Sequence, residues 1–150
     1  MLAHLLLASL MVMVCVTVHF VGLVLLMRLL RHRGSRLPQQ GGLLGQGLLI
    51  LLVVHGLFLT HTIEVWSFAI AYVATGAIGD FTTALYFSTA TFTTIGYGDV
   101  VLPPDWRLFG AIEGAAGLIL FGWSTAFLIS VMNHMRTFEH TWLSAGSDGG

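Results

Sequence analysis

Chemistry in this sequence is concentrated in three side chains within apolar surroundings and in one short stretch spaced by glycines. Glu64 and Glu113 sit inside long apolar runs, and His61 precedes Glu64 by one helical turn. A carboxylate in hydrocarbon costs roughly 2.5–3.5 kcal/mol on insertion scales, so each acid requires a partner or a function. The stretch Thr93-Thr94-Ile95-Gly96-Tyr97-Gly98-Asp99 places glycines at alternate positions, where they reach backbone dihedrals that a residue with a Cβ reaches only at a cost. Neither an HExxH nor a GxSxG pattern occurs, and His61 with Glu64 alone are too few ligands for a dedicated metal site.

The elements that must position these residues follow from composition. Of 150 residues, 56% are hydrophobic and only 9% charged, about a third of the charge of a soluble domain, which places the chain in a membrane. Six arginines, no lysine and seven acidic residues give a net charge of -1, so no basic field exists to recruit nucleic acid. Cys15 is the one cysteine, which excludes an intrachain disulfide and a cysteine-based metal site. The scarcity of lysine beside abundant Arg, Ala, Gly and Leu suggests a GC-rich bacterial source.

Leu5 to Met27 is long and apolar enough for a first span, since a helix crosses the hydrocarbon with roughly 20 residues. Its basic residues follow the apolar run, unlike those of a signal peptide. Arg28, Arg31, Arg33 and Arg36 mark a cytoplasmic loop by the positive-inside rule, with the N-terminus outside. Residues 34–42 read as a linker rich in Gly, Ser, Gln and Pro. A second helix is expected from about Leu43 to Val73, with Trp66 and Tyr72 at the outer interface. After Gly76-Ala77-Ile78-Gly79, Asp80 is placed as the N-cap of a short helix from Phe81 to about Phe92. That helix and the following loop are too short to span and read as re-entrant, a form membranes tolerate where backbone is buried in protein or lines water. Pro103-Pro104 precedes a last span from Trp106 to about Met135, with His134 and Arg136 at its cytoplasmic end. The expected organisation is therefore 1–33 first helix, 34–42 linker, 43–136 pore domain and 137–150 short tail. No soluble regulatory domain is recognisable.

Residues 93–99 resemble the potassium-channel signature, and the resemblance extends from about Leu43 onward. Ala84-Leu85-Tyr86-Phe87-Ser88 is similar to the pore helix of bacterial potassium channels, and Trp106-Arg107-Leu108 with Gly117, Phe121-Gly122 and Thr125 to their inner helix. The resemblance implies an all-α membrane protein with three transmembrane helices, a re-entrant pore helix and a filter loop, assembled as a homotetramer in the cell (inner) membrane. Thr94, Ile95, Gly96, Tyr97 and Gly98 would form the selectivity filter, their backbone carbonyls replacing the hydration shell of K+. Ile95 and Tyr97 would direct their side chains away from the axis. Gly117 matches the position called the gating hinge. Ala90 stands where some members carry a glutamate behind the filter, and the first span lacks the spaced arginines of a voltage sensor.

At 100° per residue, Leu118, Phe121, Thr125, Ile129 and Met132 share one stripe, which the resemblance makes pore-lining. Glu64 lies roughly 12 Å below Tyr72 and Glu113 roughly 10 Å below Trp106 at 1.5 Å per residue, so His61, Glu64 and Glu113 are expected to form one buried polar network. His4, His19 and His55 are expected as satisfied or interfacial residues. The function expected is passive K+ conduction, with no catalysis, no cofactor, membrane lipid as surroundings and K+ as the transported ion. The competing readings are a non-conducting accessory subunit, against which the intact filter argues, and an intramembrane metalloenzyme using His61 and Glu64.

Overall fold

A computed structural model describes the backbone of residues 2–34 and 42–145, and the side chains of residues 2–32 and 45–133. Arg36 and the side chains of Arg33, His134 and Arg136 lie outside the described residues. Every regular element described is helical: α1 (Leu2–Gly34), α2 (Gly42–Ala74), α3 (Phe81–Phe92), a 3-10 turn (Pro104–Trp106) and α4 (Arg107–Ala145). Three helices are long and apolar enough to cross a membrane, over Leu2–His32, Gly45–Ala74 and Pro104–Asn133. A helix satisfies its backbone polar groups internally, as hydrocarbon demands.

α3 matches the expected bounds, and its start has the expected cause. Asp80 is extended at φ -132 and ψ 150 and accepts a hydrogen bond from the Thr83 amide at 2.8 Å. α2 ends because Gly76 takes φ +73, the left-handed conformation glycine reaches without a Cβ penalty. α4 continues past the expected end near Met135, and its backbone remains helical to Ala145. The tail expected from Thr137 is therefore largely helical extension.

α3 packs against both α2 and α4, and α1 also packs against α2 and α4. The main core joins Ala8 and Cys15 of α1, Phe68 and Tyr72 of α2, Phe92 of α3 and Phe109 and Leu120 of α4. A second cluster joins Leu23 and Leu26 of α1 to Val53 and Leu57 of α2. The α1–α2 contact is close: a Cβ on Gly22 would stand 2.5 Å from Thr60 Oγ1, and one on Gly56 would overlap Leu26. Outward faces carry large apolar side chains such as Leu6, Met13, Phe58 and Ile119, as a surface facing hydrocarbon requires.

Candidate functional site

The stretch after α3 has an unusual backbone. Thr94, Gly96 and Gly98 adopt φ of 63°, 54° and 77°, whereas Ile95 and Tyr97 between them keep negative φ. A backbone that alternates in the sign of φ departs from a strand, whose peptide groups alternate in direction, and can turn successive carbonyls to one side. The segment is tied to α3 by hydrogen bonds from the Thr94 amide to the Thr91 carbonyl at 3.0 Å and from the Gly96 amide to the Ala90 carbonyl at 3.0 Å. Ile95 and Tyr97 are 54% and 71% exposed in the single chain, which leaves both largely uncovered. Beyond the glycines, Asp99 accepts a hydrogen bond from the Tyr86 hydroxyl at 2.7 Å. That bond holds the Asp99 carboxyl below the usual carboxylate range and pushes the Tyr86 hydroxyl up.

α4 reaches this segment through small residues. Gly110 faces Leu102, Gly114 lies 3.4 Å (from its would-be Cβ) from the Thr91 carbonyl, and a Cβ on Gly117 would overlap the carbonyl oxygen of Phe92. Gly117 thus has a packing reason to be glycine, independent of any hinge. Along the expected pore stripe, Leu118, Ile129 and Met132 are exposed large side chains, and Thr125 is also exposed. Phe121 departs from them. It is half-buried, its ring centroid 4.3 Å from that of His61 and 5.9 Å from that of Phe92. Its side chain leans toward α2 and α3, which offer it aromatic partners.

The single polar network expected of His61, Glu64 and Glu113 is corrected to two separate centres, each built from residues of three helices. In the first, fully buried Glu113 of α4 receives the Tyr72 hydroxyl at 2.5 Å on Oε2 and meets Ser88 Oγ at 2.5 Å on Oε1. Ser88 Oγ also lies 2.9 Å from the Val65 carbonyl. Ser88 Oγ thus bridges the Glu113 carboxyl and the α2 backbone, tying α3 to both α2 and α4. Tyr72 is buried, because its hydroxyl serves a carboxyl group, whereas Trp66, at 48% exposure, faces outward.

In the second centre, fully buried Glu64 of α2 lies within hydrogen-bond distance of His19 Nδ1, at 3.0 Å, and of His61 Nδ1, at 2.7 Å. The far nitrogens converge on Ser124 of α4, His61 Nε2 at 2.9 Å and His19 Nε2 at 3.5 Å from its Oγ. His19 is the residue that sequence reasoning missed. Its partner Glu64 is 45 positions away on another helix, and no periodicity within one helix signals such a pair. His55 is satisfied as expected, bonding the Leu51 carbonyl at 2.8 Å, whereas His4 packs on Trp106 with its buried Nδ1 lacking a hydrogen-bond partner among the described residues.

A family model described as ion channel matches residues 47–134, more than half of the 150 residues. It takes in α2 from Gly47, α3, the glycine-spaced segment and the membrane portion of α4, and leaves α1 outside. A curated relative, the uncharacterized membrane protein YdjJ of Bacillus subtilis (strain 168), is 41% identical over 71 residues, which are 43% of this chain and 20% of that protein. The chain thus spans about a fifth of that relative's length. No solved structure matches. With its pore resemblance borne out over residues 47–134, the chain belongs to the ion channel family.

Proposed function

We propose that four copies of this chain form a potassium-selective pore in which Thr94, Ile95, Gly96, Tyr97 and Gly98 are the selectivity filter. The observation that carries the reading is the alternation of φ sign through residues 94–98. Carbonyls turned to one side are the ligands a dehydrated K+ needs, and the Thr94 hydroxyl adds oxygens at the inner end. One chain supplies one strand of such ligands, so a closed ring requires copies related by rotation. The exposure of Ile95 and Tyr97 in the single chain suits side chains that pack against a neighbouring subunit in the tetramer.

Residues 43–136 are the pore domain in this reading. α3 enters and returns from the outer side, and its C-terminus at Phe92 aims the negative end of its dipole at the cation below the filter. Leu118, Thr125 and Ile129 face the inner cavity, and Phe121 backs the wall from inside the subunit. Glu113 with Tyr72 and Ser88 clamps α2, α3 and α4 together behind the filter. The chain performs no catalysis: ions pass by exchange between carbonyl sites. The N-terminus faces out and the C-terminus lies in the cytoplasm of a cell whose inner membrane holds the channel.

Purified protein in liposomes tests the assembly and the pore together. Native mass of four subunits with cation flux is expected. A stable dimer that conducts, or a tetramer without flux under any pH, tension or voltage, contradicts the proposal.

A further inference from the structure

We propose that His19, His61 and Glu64 form an intramembrane site for one divalent transition-metal cation of the zinc class, which staples α1 to the channel portion of the chain. The three side chains place ligand atoms within 4.8 Å of one another. They come from α1 and α2, with Ser124 of α4 beside them. His61 and Glu64 are three residues apart and share one helix face; His19 closes the group from the facing helix.

Four features of the site fit a cation. Distances of 3.0 and 2.7 Å from the two Nδ1 atoms to the Glu64 oxygens are a few tenths of an ångström shorter than the separation of about 3.3 Å between donors on a tetrahedral zinc with bonds of 2.0–2.1 Å. Small rotations of the rings and the carboxylate therefore open the site to the right size. The donor set of two imidazoles and one carboxylate selects zinc, copper or nickel over calcium and magnesium, which require six or more oxygens or retained waters.

The outer partner is also present. Ser124 Oγ lies 2.9 Å from His61 Nε2 and 3.5 Å from His19 Nε2, placed to accept Nε2–H in the tautomers whose Nδ1 lone pairs face a bound cation. Finally, Glu64 is fully buried and its ion-pair partners among the described residues are the two histidines, so a cation supplies the positive charge that no arginine brings to this depth. The His61 side chain is 11% exposed while those of His19 and Glu64 are fully buried, so the cation reaches the centre along the His61 edge, beside Phe121. Cys15, whose thiol approaches the Glu64 backbone carbonyl at 4.0 Å, falls outside the ligand group.

The assignment does not depend on what the pore conducts, so its test needs no flux. Full-length protein in detergent is stripped with a chelator, titrated with Co2+, and separately loaded with Zn2+ and assayed for bound metal. Visible d–d bands of four- or five-coordinate Co2+ and one Zn2+ per chain are expected. Less than a tenth of an equivalent, or the spectrum of hexaaqua Co2+, overturns the site. Ser124→Ala leaves the three ligands in place and should weaken binding 10- to 100-fold; unchanged affinity overturns the second half of the argument. His19→Cys should add a thiolate-to-cobalt charge-transfer band that the parent lacks. If that variant elutes with the parent's subunit mass and binds Co2+ without the band, His19 is not a ligand and the site is wrong. Zn2+ should also raise the melting temperature of the parent and leave that of Glu64→Gln unmoved; equal shifts in both place the metal elsewhere.

Discussion

The α carbon of Gly117 rests against the carbonyl oxygen of Phe92, so closely that a Cβ at 117 would occupy the space of that oxygen. Phe92 is the last residue of α3 and stands two positions before Thr94, the first left-handed residue of the glycine-spaced segment. The approach of α4 to this point therefore fixes the level from which that segment starts.

Gly117→Ala should consequently displace α4 or the end of α3, because the obstructing atom is backbone and cannot rotate away. We expect loss of assembled protein in detergent or a melting temperature lower by several degrees. Gly122→Ala, with open space around its would-be Cβ, is the control and should behave as the parent in the single subunit. Equal tolerance of both changes would contradict the packing role of Gly117.

Glu113 holds two partners, and its replacements should divide by hydrogen-bonding capacity. Glutamine at 113 presents a carbonyl to the Tyr72 hydroxyl and an N–H to Ser88, so Glu113→Gln should retain nearly full stability. Glu113→Leu leaves the buried Tyr72 hydroxyl without an acceptor, at a cost of about 1–3 kcal/mol. Adding Tyr72→Phe to Glu113→Leu should recover part of that loss, a coupling that a double-mutant cycle on thermal denaturation reads directly. Additive effects would show that the two side chains do not act as a unit.

The Tyr86 hydroxyl lowers the Asp99 pKa by hydrogen bonding to its charged form. A carboxyl depressed in the folded state contributes stability above its ordinary range and loses that contribution as pH falls through the folded value. Tyr86→Phe should therefore raise the pH at which Asp99 takes up its proton, measured by carbon NMR of labelled aspartate. An unchanged titration would mean the bond is not made in solution.

Much of this architecture is legible in the sequence because its determinants are local. The bounds of α3 follow from the Asp80 cap and the glycines that flank the helix, and the need of Glu64 and Glu113 for partners follows from their apolar runs. What is not legible depends on how helices face one another. His19 looks like one more polar interruption of α1 until α2 brings Glu64 beside it, at 3.0 Å. Tyr72 gives no sign in the sequence that its hydroxyl is buried until α4 supplies Glu113. A common depth for Glu64 and Glu113 suggests one network, but depth omits rotation about the helix axis, and the two carboxyl groups have different neighbours. Phe121 shares a helical stripe with Thr125, yet its ring turns inward to His61 and Phe92.

The central claim is that residues 94–98 select potassium, and the reversal potential under bi-ionic conditions tests it most directly. With K+ on one side of a bilayer holding the purified protein and equal Na+ on the other, the current should reverse at a potential strongly negative on the K+ side. Gly96→Ala, which places a Cβ on a residue at φ 54°, should abolish the current while leaving the protein assembled. Reversal near zero in the parent protein, meaning equal passage of K+ and Na+, would contradict the account.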